Sequence, residues 1–168
     1  MRKQKGFSLI ELLIVVAIIL IIAAIAIPNL MRSKIASNDS AAAATVRTLN
    51  TTEVTYSTTY PQVGYGTLSA LGPGAATCGT PTTTASCLVD FLLGCASSPC
   101  SKDNFKYSIQ INSSGADYII NAIPVGSTVG DKDFCSVPDG VVRWVADAAG
   151  SGTAQTTDAA CTGSYTPL

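Results

Sequence analysis

The fold of this chain is decided by its first apolar run, FSLIELLIVVAIILIIAAIAI, which occupies residues 7–27. Every residue in the run is apolar except Ser8 and Glu11. A helix rises about 1.5 Å per residue, so a run of this length reaches about 31 Å, close to the thickness of a bilayer core. The sequence therefore predicts one membrane-spanning helix at 7–28, joined to a body that is large enough to bury its own core.

Basic residues on one side of this run predict its orientation. Arg2, Lys3 and Lys5 precede the run, and basic residues favour the cytoplasmic side of a membrane. A secretory signal would have a shorter apolar core that ends in a small-residue cleavage site. We therefore expect a single-pass inner-membrane protein with a cytoplasmic N-terminus. The body carries no basic cluster, so nucleic acid is not expected as a main ligand.

Glu11 does not fit a simple membrane anchor. A carboxylate inside a spanning helix costs on the order of a few kcal/mol near the bilayer centre and less near its edge. The run contains no Lys or Arg that could neutralise it. If the peptide bond after Gly6 is cut, Phe7 gains an α-amino group, and this amine could pair with Glu11 of the same chain or of a neighbouring copy.

The segment GFSLIELLI at residues 6–14 resembles the prepilin cleavage motif of type IV pilins and type II secretion pseudopilins. The resemblance implies cleavage between Gly6 and Phe7, N-methylation of Phe7, a role for Glu11 in subunit assembly and a helix kink at Pro28. It implies that residues 1–6 are a leader that is removed. The implied partners are a prepilin peptidase, the inner-membrane pilus assembly machinery, the membrane before assembly, and further copies of the chain in a helical filament.

The function implied by this resemblance is that of a structural subunit of a type IV pilus, carried to the cell surface as an extracellular filament. The alternatives are a minor pilin or a type II secretion pseudopilin. A membrane-anchored enzyme or binding domain is a further alternative, but the chain contains no histidine. This excludes Ser-His-Asp and Cys-His nucleophile systems and most zinc hydrolase sites. We expect no enzymatic activity, no cofactor and no metal.

The stretch at 29–60 is predicted to continue the first helix as an amphipathic half. It contains no glycine and no proline. One set of residues recurs at alternating spacings of three and four, which places them on one helix face: Ala42, Val46, Leu49, Glu53, Tyr56 and Tyr60. Pro61 and Gly64 would end this helix. A second helix start at Asn38–Ser40 remains an alternative.

The remainder is predicted to be a loop, a small sheet and a tail. Residues 61–104 are rich in Gly, Pro, Thr and Ser and indicate a long αβ-loop with one helical turn near 87–93. Alternating apolar residues and turn signals predict an antiparallel sheet of three or four strands within 105–147, at 105–111, 117–123, 134–136 and 141–146. Residues 148–168 are predicted to be a C-terminal loop. The fold class is α+β, as the resemblance to type IV pilins also implies.

The chain has six cysteines, all in the body: Cys78, Cys87, Cys95, Cys100, Cys135 and Cys161. An even number in an extracytoplasmic segment indicates disulfides. A metal site of four thiolates is the alternative, although no C-x-x-C pair occurs. Fifteen pairings are possible. Our hypothesis joins the local pairs Cys78–Cys87 and Cys95–Cys100, and the resemblance adds Cys135–Cys161, because pilins commonly staple a C-terminal loop to the sheet.

Three acidic residues lie close together in the sequence: Asp131, Asp133 and Asp139. A calcium site is conceivable, but the pattern lacks the further ligands of an EF-hand loop. We expect solvated carboxylates in turns.

Overall fold

The computed structural model describes residues 7–75, 77–112, 114–147 and 149–168. The chain forms two compact units, one that extends to Lys34 and one that runs Ile35–Leu168. The first helix, α1 (Leu9–Thr59), contributes residues to both units. It is uninterrupted at 38–40, so no second helix starts there.

In the second unit, one face of α1 is buried as the residue spacing predicted. Ala42, Val46, Leu49, Glu53 and Tyr56 are buried, while Tyr60 lies just beyond the helix end and is half-buried. The burial of these residues confirms the core face that their spacing predicted.

The threonines of α1 lie mostly on its exposed side and bond to their own helix. Thr48 Oγ1 donates to Ala44 O at 3.1 Å, and Thr55 Oγ1 donates to Thr51 O at 2.9 Å. Such bonds to the carbonyl four residues earlier satisfy the hydroxyl without ending the helix. The low helix propensity of threonine is thus overridden by the packing of the opposite face.

A six-stranded antiparallel sheet packs on this part of α1. Its strands follow one another in the sheet in chain order. They are β1 (Cys100–Lys102), β2 (Phe105–Ile111), β3 (Tyr118–Pro124), β4 (Lys132–Ser136), β5 (Arg143–Ala146) and β6 (Thr166–Pro167). Two short helices complete the unit, α2 (Leu68–Leu71) and α3 (Asp158–Ser164). The architecture is α+β with a long N-terminal helix and an antiparallel sheet, as expected.

The expected count of three or four strands was too low, because both edge strands are too short to show an alternating pattern. Strand β6 has two residues and pairs with β5 through Trp144 and Thr166. Strand β1 has three residues and is joined to β2 by Asp103 and Asn104. Both of these turn residues have positive φ, 50° and 67°, as a tight two-residue hairpin requires.

Two predicted loops contain secondary structure. The region 148–168, expected to be a C-terminal loop, contains α3 and β6, and Thr157 Oγ1 caps α3 by accepting from Ala160 N at 3.2 Å. The region 61–104 contains β1 and α2. The helical turn expected near 87–93 is a single turn, closed by Gly94 N, which donates to Asp90 O at 2.8 Å. The short helix of this region lies earlier, at α2, where Leu68 and Leu71 are buried in the core.

The sheet is covered on both faces. One face packs on α1 through a core that includes Phe105, Tyr107, Ile120 and Phe134. The other face packs on the C-terminal segment in a second cluster, formed by Ile119, Cys135, Val137, Cys161 and Tyr165. Strand β3 therefore has buried residues along both faces, with the exception of the half-buried Ile123.

The cysteines form three disulfides, and no described cysteine is free. The bonds join Cys78 to Cys87, Cys95 to Cys100 and Cys135 to Cys161, with Cα atoms 5.7, 5.6 and 6.0 Å apart. These pairs are the same as those in the sequence hypothesis. Two of them close short loops before β2, and the third fastens α3 to the middle of the sheet.

Candidate functional site

The described part of the first unit, residues 7–34, is a helix whose apolar side chains point in every direction. The exposed fraction of its large apolar residues ranges from 46% at Val16 to 83% at Phe7. Mean hydropathy reaches 3.3 over 18 residues, and none of that window is buried. A helix that is apolar all round belongs in a membrane or among other apolar helices.

Water is a poor environment for this helix. Each large apolar side chain left exposed forgoes about 1.5–3 kcal/mol of burial free energy. Summed over the run, this amounts to tens of kcal/mol, much more than the stability of a typical domain. The helix is also long and apolar enough to cross a membrane. Lipid and a bundle of similar helices are the two surroundings that satisfy it.

The helix begins immediately after Phe7 and Ser8. The carbonyl oxygen of Ser8 accepts from Glu11 N at 3.1 Å and from Leu12 N at 3.2 Å, which closes the first turn. Glu11 therefore lies in the first turn, where the partial positive charge of a helix N-terminus favours a carboxylate. The predicted leader, including Gly6 at the expected cleavage site, lies outside the described residues.

Glu11 has no side-chain cation within reach in the described part of the first unit. The basic residues there are Arg32 and Lys34. Arg32 follows Glu11 by twenty-one positions, which is about 31 Å along a helix. The side chains in the described part of this unit therefore supply no neutralising charge for Glu11.

Pro28 lies inside α1, and the helix continues through it. Its ring removes the backbone N–H that would bond to the carbonyl of Ala24 and crowds the preceding turn. This loss of one helix hydrogen bond permits a bend. The predicted kink at Pro28 stays a prediction.

Three carboxylates are buried in the second unit, and for two of them no sequence pattern predicted this burial. Asp39, Glu53 and Asp133 are almost completely buried. The expectation that Asp131, Asp133 and Asp139 would all be solvated was wrong for Asp133, because the C-terminal segment covers that face of β4. Gly152 packs so closely on its carboxylate that an added Cβ would lie 1.6 Å from Asp133 Oδ2.

Glu53 fastens the segment after α1 back onto the helix. Its Oε2 accepts from Gly66 N at 3.0 Å, whereas Oε1 has no partner among the described residues. Burial raises the pKa of Glu53 to about 8. Glu53 is therefore mostly protonated at neutral pH.

Asp39 and Asn38 hold the turn before β4 to α1. Asn38 Nδ2 donates to Val129 O at 2.7 Å, and Asp39 Oδ1 accepts from Asp131 N at 3.4 Å. Burial, together with the neighbouring Asp131 carboxylate, raises the pKa of Asp39 to about 7, although Lys132 Nζ lies 3.9 Å from Asp39 Oδ2.

The pKa values of Asp133 and Asp139 are shifted in opposite directions, because Asp133 is buried beside a carboxylate whereas Asp139 is exposed beside a guanidinium. Burial and the carboxylate of Asp147 raise the pKa of Asp133 to about 7. The exposed Asp139 forms an ion pair with Arg143, which holds the pKa of Asp139 below its usual range. No group of three or more His, Cys, Asp or Glu among the described residues could hold a metal ion.

Comparisons with known proteins identify the N-terminal segment. The family described as the prokaryotic N-terminal methylation motif matches residues 1–27. Over 40 residues the chain is 60% identical to the type IV wide pilus major component PilA4 of Thermus thermophilus, an alignment that covers 24% of this chain and 30% of that protein. Over 54 residues it is 46% identical to the type IV major pilin protein PilA of Myxococcus xanthus, covering 32% and 24%. The matches thus span less than a third of either relative, and no solved structure matches the chain significantly.

Proposed function

We propose that this chain, which carries the prokaryotic N-terminal methylation motif, is a structural subunit of a type IV pilus filament and not an enzyme. The observation that carries the proposal is that the part of α1 in the first unit is apolar on every side and contains one acidic residue, Glu11, in its first turn. The similarity to two major pilins supports it.

Maturation would begin with a prepilin peptidase at the cytoplasmic side of the inner membrane. Cleavage after Gly6 removes Arg2, Lys3 and Lys5 and frees the amine of Phe7, which the peptidase then methylates. Glycine at the cut is physically reasonable because it has no side chain to keep the protease from the backbone. The cut also removes three charges that would otherwise have to cross the membrane when the helix leaves it.

Assembly would then move the helix from lipid into a bundle of identical helices, driven by the inner-membrane machinery. Close packing between the apolar helices supplies the cohesion. The methylated amine of Phe7 on one subunit pairs with Glu11 of its neighbour, away from water. Because an unpaired charge in that surrounding is costly, this pair selects the axial register rather than supplying most of the energy. A contact that repeats without closing yields an open fibre at the cell surface.

Mass spectrometry of sheared surface filaments tests the maturation step. We expect a chain that begins at Phe7 and carries one added methyl group. A surface-assembled chain that retains Met1 would contradict the proposal.

Substitution of Glu11 tests the assembly step in cells that have a working assembly apparatus. Glu11→Ala and the isosteric Glu11→Gln should insert into the membrane normally and lose nearly all filaments. Ile22→Leu keeps the volume and the apolar character of a side chain in the same helix, so it serves as the control and should retain most of the yield. Wild-type amounts of filament from both Glu11 variants would show that Glu11 is not needed for assembly.

A further inference from the structure

Three large apolar side chains are exposed in the loop before β1. They are Leu88, Phe91 and Leu92, here called the loop knob. Phe91 is 51% exposed and Leu92 is 58% exposed, although the next residue in the chain is buried in the core. Adjacent exposed side chains of this size are uncommon on a soluble surface and mark a contact site.

The loop knob is held firmly by the chain around it. Leu93 N donates to Asp90 Oδ1 at 2.9 Å, Gly94 N donates to Asp90 O at 2.8 Å, and Lys102 pairs with the same carboxylate. Leu93 itself is buried in the core. The disulfides at Cys87 and Cys95 flank the knob on both sides. A surface ordered in advance loses little conformational entropy on binding.

A groove on the same unit combines polar side chains with the apolar Val54 and Pro138. It lies between α1 and the turn that joins β4 to β5, and its walls include Arg47, Thr51, Val54, Pro138 and Gly140; we call it the helix groove. Val54 is 54% exposed there. The loop knob precedes the edge strand β1, whereas the helix groove is bounded by the turn after β4, three strands further along the sheet.

Charges beside the two surfaces are complementary. Arg47 borders the helix groove and forms no ion pair within the described part of the chain. Asp103 is exposed, follows the Lys102 that pairs with the base of the knob, and likewise takes part in no ion pair among the described residues. A free cation beside one surface and a free anion beside the other favour their association.

We propose that the loop knob of one copy of this chain docks into the helix groove of the next copy, with Asp103 of the first facing Arg47 of the second. The inference rests on the proposed function, since it names a contact within the filament. Because the two surfaces lie at different places on the chain, the contact is head-to-tail and can repeat without closing. Leu92 and Phe91 would fill the groove beside Val54, and the charge pair would fix their register.

Filament yield from full-length variants tests the apolar half of this contact. Phe91→Ala and Leu92→Ser should each lower the yield of sheared filaments by about tenfold, as expected for an apolar anchor in an interface. Val125→Ala is the matched control, since Val125 is 51% exposed on the turn after β3, and it should leave the yield unchanged. The amount of disulfide-bonded subunit in the membrane must be equal for all variants.

A charge exchange tests the partner. Arg47→Glu and Asp103→Arg should each lower the yield, and the two together should restore it, because only a contact between these residues couples them. Knob variants with wild-type yield, or single charge variants that the double variant fails to restore, would overturn the inference. Wild-type chain that forms no filaments at all would instead overturn the proposed function.

Discussion

Individual polar side chains join α1 to the sheet inside an otherwise apolar core. Asn50 is the centre of one such network. Tyr118 OH donates to Asn50 Oδ1 at 3.1 Å, and Asn50 Nδ2 donates to Ser136 Oγ at 2.9 Å and to Gly140 O at 3.3 Å. One amide thereby ties the helix to β3, to β4 and to the turn after β4.

Replacing Asn50 should therefore lower the free energy of unfolding by more than the small size of its side chain suggests. Asn50→Ala leaves the buried hydroxyl of Tyr118 without its acceptor, and an orphaned buried polar group costs about 1–3 kcal/mol. We expect the free energy of unfolding to fall by about 2–3 kcal/mol, measured by urea unfolding of the detergent-solubilised chain. Thr51→Ala on the exposed side of the same turn is the control and should change it by less than about 0.5 kcal/mol. Equal effects from the two variants would contradict this role.

At the scale of single residues, the sequence predicted which side chains of α1 face the core better than it predicted the partners that buried polar side chains contact. The spacing of α1 placed Glu53 on the buried face although it is charged, and it is fully buried. Asp39 and Asp133 carried no such signal, because their burial depends on the turn before β4 and on the C-terminal segment, which are distant in sequence. For the same reason the sequence could not predict that Asn50 would meet Tyr118.

A disulfide joins the short helix α3 to the sheet. Cys161 of α3 is fully buried against Cys135 in β4, and the two are 26 residues apart in sequence. The bond between Cys95 and Cys100 closes a loop with a separation of 5. The C-terminal segment covers one face of the sheet, and this disulfide holds the segment in place there.

The two disulfides should differ in their contribution to stability. The chain-entropy relation gives about 3.5 kcal/mol for the Cys135–Cys161 loop and about 2 kcal/mol for the Cys95–Cys100 loop. We expect the paired Cys135→Ala and Cys161→Ala variant to unfold at lower urea than the paired Cys95→Ala and Cys100→Ala variant. Peptide mapping of the wild-type chain without reduction checks the pairing. A greater loss from the Cys95–Cys100 variant would contradict the expectation.

Elements with a long periodic pattern were predictable, and short ones were not. The apolar run and the stripe after it identify α1, and the alternation from Phe105 to Ile111 identifies β2 at its observed bounds. Strands β1 and β6 form because β2 and β5 offer free edges, which no local pattern reveals. Residues 158–164 form a helix because Thr157 caps it, a local contact with Ala160, and because Cys161 anchors it to β4, a contact that only the folded chain supplies.

At the scale of the molecule, both units contain acidic residues among apolar ones. In the first unit, Glu11 is the one acid in an apolar helix. In the second unit, Asp39, Glu53 and Asp133 are buried, and burial is the largest cause of the raised pKa of each carboxyl. The three buried carboxyls of the second unit therefore destabilise the folded state as they lose their protons.

The second unit should therefore be more stable in mild acid than in mild base. Unfolding returns these carboxyls to ordinary pKa values near 3.8 and 4.5, whereas in the folded chain they titrate at about 7 or 8. Between these limits the folded state binds more protons, so the free energy of unfolding falls as the pH rises, by up to about 1.4 kcal/mol per pH unit for each group. The ion-paired Asp90 and Asp139 have lowered pKa values, so they change the free energy of unfolding mainly at a pH below their ordinary pKa of 3.8. The chain has no histidine to obscure the effect.

Urea unfolding followed by Trp144 fluorescence at pH 5 and pH 8 measures this difference, and we expect greater stability at pH 5. Glu53→Gln keeps an acceptor for Gly66 N but cannot ionise, so it should raise the stability at pH 8 and reduce the difference between the two values. Asp158→Asn, at an exposed acid in the first turn of α3, is the matched control and should leave the difference intact. A wild-type chain that is equally stable at both pH values, or a Glu53→Gln variant with the wild-type pH dependence, would show that these buried carboxyls keep their charge in the folded state.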